Sequence, residues 1–250
     1  MKKKSAGSIA VMLLVMIYLL IPLVISIIYS LFKKWTGILP EGFSIGNYAS
    51  LFSDPNFLAS VGRSVGMCIV PILLTIVIVL LALFVTTIYF PKLEKYVQII
   101  CMIPYTIQGV ILSVSILSLY VGNKSVLSNR MVMLMGAYCI VILPYIYQGI
   151  RNGMRAVNMV TLIEAAEMLG ASKIYAFFRV VVPNIISAII VSSLLAVGII
   201  FGDYVLIRNL AGTSAPNMQI FLYQTMKSDS TKASAVFVII MFVTFVITAV

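Results

Sequence analysis

The chain has 250 residues, 62% of them hydrophobic and 10% charged. A soluble domain carries about a quarter of its residues as charge, so this composition cannot cover a water-facing surface and an integral membrane protein is expected. The net charge of +10 falls in short breaks between apolar runs, without the interleaved aromatic and basic residues of a nucleic-acid groove; bilayer orientation and contact with membrane lipid are its expected roles, and no nucleic-acid partner is expected.

The chain opens on "MKKK" and runs at once into the first apolar stretch, Ser8–Phe32. A basic start before an apolar run also describes a signal peptide, but this run exceeds twenty residues and has no small-residue cleavage site before Phe32, so a retained helix is expected. Five more spans follow at about Ser64–Phe90, Val97–Val121, Met131–Ile150, Asn184–Ile207 and Ala233–Val250, each near the ~20 residues a bilayer requires. Lysines and arginines divide nine against eight between the two sides, so Lys2, Lys3 and Lys4 set the orientation. They place the N-terminus in the cytoplasm. Pro22, Pro71, Pro104 and Pro144 lie inside spans, where each removes a backbone donor and is expected to kink its helix.

The longest polar break on the cytoplasmic side, 151–183, contains "TLIEAAEMLGASKIYAFFRVVVPN" from Thr161 to Asn184. Thr161 and Glu164 have the spacing of a capping box, predicting a helix over Leu162–Leu169 with Leu162, Ala165, Ala166 and Leu169 on one face. Gly170 supplies the left-handed residue that ends it. Ser172 is placed to cap a second helix with Ile174, Phe177, Phe178 and Val181 on its apolar side, closed by Pro183. Two short amphipathic helices meeting at a glycine can lie in the lipid interface or dock in a groove of a cytoplasmic partner. The alanines favour docking, because small side chains allow close backbone approach.

Chemistry of other kinds has little support. There is no histidine, and Cys68, Cys101 and Cys139 all fall in apolar segments without a paired spacing, so neither a metal site nor a disulfide framework is indicated and no cofactor is expected. No nucleophile with a base, selectivity filter or phosphate-cradling glycine loop is legible, so the chain is not expected to be an enzyme. An ion-coupled secondary carrier is the rival class, although such carriers usually show several intramembrane acids or broken helices. Asp203 is the acid well inside a span, which marks it as a functional candidate; pairing with Arg208, or contact with water near the helix end, is the bland alternative. Phe201, Asp203 and Tyr204 fall together late in the fifth span and form the candidate substrate path.

Glu164-Ala165-Ala166, Gly170 and the following Val180 and Val182-Pro183 resemble the EAA motif of permease subunits of binding-protein-dependent ABC importers. Two valines stand where that family has Ile and Leu, and Ile163 stands where a second Glu is common. The resemblance implies an all-α membrane protein with the six-helix, MetI-like permease fold over 1–250, with 151–183 as its cytoplasmic coupling loop. It implies that Glu164, Ala165, Ala166 and Gly170 couple the chain to two cytoplasmic ATPase subunits, which hydrolyse the ATP. It further implies a second permease subunit, an extracellular or periplasmic solute-binding protein, and a bacterial inner-membrane location. "FGDYVLIRNLAG" (Phe201–Gly212) looks most like the spermidine/putrescine group, with phosphonate, iron and sugar permeases as alternatives.

Overall fold

The computed structural model describes residues 6–35, 41–122, 126–212 and 215–249. The orienting lysines Lys2, Lys3 and Lys4, with Lys124 and Val250, lie outside them. Six apolar segments answer to the six expected spans. Three are long single helices: α1 (Ala6–Ser30), α3 (Pro55–Ile88) and α6 (Arg130–Ala156). Two are bent: a 3₁₀ turn at Pro91–Leu93, α4 (Glu94–Met102) and a second 3₁₀ turn at Ile103–Thr106 meet α5 (Gly109–Tyr120) at 102°, and the segment Lys173–Asn184 meets α10 (Ile186–Gly202) at 65°. The last is α13 (Ser230–Ala249).

The third expected span, Val97–Val121, is therefore not one helix. Pro104 has no amide hydrogen, and Ile107 and Gln108 turn extended before Gly109 restarts the helix. The fifth, Asn184–Ile207, is also cut. Helix α10 stops at Gly202, Asp203 and Tyr204 intervene, and α11 (Val205–Leu210) follows. Pro22, Pro71 and Pro144 stay inside their helices.

Helix α6 is the centre of the bundle. Leu134, Tyr138, Ile142, Ile146 and Ile150 recur every fourth residue and are all buried, making a stripe that α3 and α10 cover. Helix α1 exposes its apolar side chains all round and packs along α13, as a helix wrapped in lipid can. Between α1 and α3 stand an antiparallel ribbon, β1 (Phe32–Lys34) with β2 (Glu41–Phe43), and α2 (Gly46–Phe52). Asp54 caps α3 by accepting from the Asn56 amide, with Pro55 in the first helical position where its missing donor costs nothing.

The six passes alternate, so two ends can be distinguished. At one end the Thr231 hydroxyl donates to the Lys33 carbonyl, Lys232 pairs with Asp54 at 3.7 Å, and α12 (Met218–Ser228) is pinned by its Met218 amide donating to Ser64 Oγ. At the opposite end lie the start of α1, the α3–α4 connection, the end of α13 and the segment that joins α6 to α10.

Candidate coupling surface and the helix break at Asp203

The segment between α6 and α10 contains α7 (Met159–Met168), α8 (Lys173–Ala176), a π-turn at Phe177–Val181 and α9 (Val182–Asn184). Asn158, with φ 50° and ψ 62°, turns the chain out of α6; α7 then starts at Met159. The expected capping box is not formed. Thr161 lies inside the helix, because burial of Met159 and Ile163 draws the helix three residues further back than its polar signal. Ile163 is buried, so an apolar residue suits the position where the family often has a glutamate. Leu162 and Ala166 pack partly against the core, whereas Ala165 and Leu169 face outward, so the four do not share one environment.

Gly170 ends the helix as expected, at φ +83°. Its amide donates to the Glu167 carbonyl and the Ala171 amide to the Ala166 carbonyl. Ser172 caps α8 by accepting from the Tyr175 amide at 3.3 Å. Of the expected apolar side of the second helix, Phe177 and Val181 are buried, and the Phe177 ring sits 4.6 Å from Phe84 of α3; Ile174 and Phe178 remain exposed. The segment is thus seated on the bundle through one side. The other side presents Glu164, Ala165 and Gly170 together with Met168 (88% exposed) and Leu169 (89% exposed). Met168 was not singled out from sequence. Its signal was a pair of large apolar residues directly before the helix-ending glycine.

Both ends of this segment are fixed by a close helix crossing that sequence reading also missed. A Cβ on Gly149 would lie 2.4 Å from Ser192 Cβ, and one on Gly153 would lie 2.6 Å from Ala188 Cβ. Gly149 and Gly153 are four apart on α6, and Ala188 and Ser192 four apart on α10, so two small-residue stripes lie face to face. On the outward side of this crossing is a cleft of about 570 Å³. Its polar lining includes Tyr105, Tyr145, Gln148, Asn152, Asn184 and Ser187, with the two tyrosine rings edge to face at 4.9 Å. Among the described residues no charged side chain lines it.

Asp203 sits at the break between α10 and α11, not on a continuous helix. Its Oδ2 accepts from the Leu206 and Ile207 amides at 3.1 and 3.3 Å and from the Tyr138 hydroxyl at 3.3 Å. The carboxylate satisfies the first donors of α11, the local competition with helix continuation that Asp side chains offer. Pairing with Arg208 is not formed: among the described residues no ion pair includes Asp203, and Arg208 is exposed. Phe201 is buried and lines an apolar groove of about 810 Å³ between α3, α10 and α13. Tyr204 turns instead to Tyr223, ring centroids 5.1 Å apart, and Lys227 holds the Tyr223 phenol below its ordinary pKa by hydrogen bonding to it. The three candidate path residues therefore point into three different surroundings.

Removal of the Asp203 carboxylate should be felt as lost stability. Asp203→Ala leaves two amides and a buried tyrosine hydroxyl without their acceptor, a loss of about 1–3 kcal/mol. Arg208→Gln should leave stability unchanged. Thermal unfolding of the detergent-solubilised complex measures both; equal destabilisation by the two changes would restore the ion-pair reading.

Residues 93–250 match the family model described as "Binding-protein-dependent transport system inner membrane component". The chain belongs to this family. The permease is 20% identical over 203 residues to the "Putative 2-aminoethylphosphonate transport system permease protein PhnV" of Salmonella typhi, covering 81% of this chain and 76% of that one. It is 22% identical to the protein of the same name from Salmonella paratyphi A, covering 79% and 75%. Among solved structures it resembles a chain of a bacterial alginate ABC transporter in complex with an alginate pentasaccharide-bound periplasmic protein. There the TM-score is 0.71 at 17% identity, over 98% of this permease and 93% of that chain. A second structure, of a bacterial ABC transporter that imports the acidic polysaccharide alginate, gives a TM-score of 0.70 at 18% identity, over 96% and 91%. The permease thus has the MetI-like fold and is a multi-pass transport component of the inner membrane, an ABC importer permease and not a catalyst.

Proposed function

We propose that this permease pairs with a second permease subunit, receives its cargo from a solute-binding protein outside the cell, and is driven by two ATPase subunits that dock on the segment 151–183. The observation that carries the reading is the outward face of α7: Glu164, Ala165, Met168 and Leu169 beside the Gly170 turn, on a firmly seated helix. Two large apolar side chains held out of the bundle ask for a complementary groove. In this reading that face is cytoplasmic, as are the start of α1 and the end of α13, and the whole chain acts as one membrane domain. The cleft beside Gly149 and Gly153 is the part of the path this subunit supplies; Phe201, Asp203 and Tyr204 lie outside its lining.

The cargo is a small organic ion, and an aminoalkylphosphonate fits better than a polyamine. A polycation needs carboxylates along its route, and the Asp203 oxygens are already taken by amides and a phenol. The cleft instead offers neutral amide and hydroxyl donors suited to phosphonate oxygens, and tyrosine faces suited to a single ammonium group. The names of the two Salmonella relatives support the same choice. Cells expressing the permease with its ATPase and binding protein should take up labelled 2-aminoethylphosphonate by an energy-dependent route. Excess unlabelled 2-aminoethylphosphonate should compete and spermidine should not. Saturable spermidine uptake through the same complex would replace the cargo; uptake that needs no ATPase subunit would overturn the importer reading.

A further inference from the structure

Helix α4 is a short limb. The 102° break separates it from α5, and among its residues Cys101 alone is buried. What holds its start is a clasp: Glu94 Oε1 accepts from Arg151 Nε at 3.0 Å, Arg151 Nη2 at 2.8 Å and Arg155 Nη2 at 3.0 Å. Arg151 is further held over the Tyr147 ring at 5.9 Å. The two arginines are one turn apart at the end of α6, and Arg155 lies four residues before Met159, where α7 begins. Among the described residues no other ion pair joins α4 to another helix.

Apolar packing at the start of α4 is incomplete, although Val97, Cys101 and Met102 further along the helix rest on the core. A cavity of about 170 Å³ lies between Leu83 and Thr87 of α3, Glu94, Arg155, and Met159 and Val160 of α7. The bonds beside it are charge-assisted, and Arg151 gives two of them to the same carboxylate oxygen, so they are strong and directional where packing is incomplete. The far end of the limb reaches the cleft. Gln148 Nε2 donates to Met102 Sδ at 3.3 Å, and Tyr105, just beyond, packs its ring on Tyr145. A continuous physical connection therefore runs from α7 through the arginines and Glu94 along α4 to a tyrosine that lines the cleft.

We propose that Glu94 is a positioning residue for transport: its clasp on Arg151 and Arg155 makes the α4 limb follow the coupling segment, so that movement of α7 moves Tyr105 in the cleft. The proposal rests on the importer reading above. Its test uses the permease assembled with its ATPase and binding-protein partners in nanodiscs, with Cys68, Cys101 and Cys139 replaced by alanine. Spin labels are placed in pairs at Leu81→Cys with Thr161→Cys, and at Lys95→Cys with Thr161→Cys. Distances are compared without nucleotide and with Mg-ATP trapped by vanadate. With Glu94 present, the 81–161 distance should change while the 95–161 distance holds within about one residue's rise, ~1.5 Å. In Glu94→Gln the 95–161 distance should shift by about a helical turn, ~5 Å, and in the charge swap Glu94→Arg with Arg151→Glu it should hold again. A 95–161 distance that stays fixed in assembled Glu94→Gln complexes, or that the swap fails to restore, overturns the clasp. An 81–161 distance unmoved by nucleotide with Glu94 present would instead overturn the importer reading itself.

Discussion

Gly149→Leu should abolish assembly of the permease while leaving its insertion into the membrane intact. Even a single methyl at this position would approach Ser192 Cβ to 2.4 Å, and the neighbouring contact at Gly153 is 2.6 Å from Ala188. Neither partner can step aside by rotating a long side chain, since both contacts are to a Cβ fixed on the α10 backbone. The helices must separate, and overfilling a packed core costs about 1–3 kcal/mol, more when backbone has to move. A small domain has only about 5–15 kcal/mol in hand, and the crossing lost here holds both ends of the segment that joins α6 to α10. The recovered yield of the complex with its partners should fall at least tenfold. Gly149→Ala should show a milder loss, and Ser192→Gly should restore it by removing the opposing carbon. That rescue is informative because, among the described residues, the Ser192 hydroxyl bonds only carbonyls of its own helix, Ala188 and Ile189. Normal yield and thermal stability of Gly149→Leu would show that α6 and α10 do not meet at these glycines.

Joint replacement of Met168 and Leu169 by aspartate should have the opposite signature: a stable permease that no longer holds its ATPase. Both side chains are almost fully exposed, so the fold loses little when they change. In a docked complex each would bury enough apolar surface to contribute about 1.5–3 kcal/mol. Because about 1.4 kcal/mol is a factor of ten in affinity, the pair should weaken ATPase binding at least a hundredfold. Co-purification of the ATPase and ATP-driven uptake should both be lost at unchanged melting temperature. Gly170→Val should show the same effect more weakly. Space around Gly170 is open within this chain, and the φ of +83° penalises an L-residue by only ~1–2 kcal/mol. If the double aspartate variant retains its ATPase and its uptake, the docking surface lies elsewhere.

The amino-acid sequence by itself determined the solvent this protein lives in and the number of its apolar segments, because composition and run length report directly on the cost of transfer into hydrocarbon. It also determined the Gly170 turn and the Ser172 cap. Each depends on one residue's own backbone or side chain acting within three or four positions, so no distant contact can hide it. Tertiary structure decided where the helices break and what the polar groups touch. A lipid-embedded helix is apolar on every side, so its pattern does not say which face is buried, nor whether 97–121 is one rod or two limbs. Asp203 finds Tyr138 across 65 residues of chain, and Glu94 finds Arg151 and Arg155 across 57 and 61. The glycines of α6 acquire their meaning only from the small residues of α10 opposite them. Nothing local distinguishes these partners from other residues of the same type. Their selection follows from how α6, α10 and the α4 limb pack, and that packing is a property of the assembled bundle.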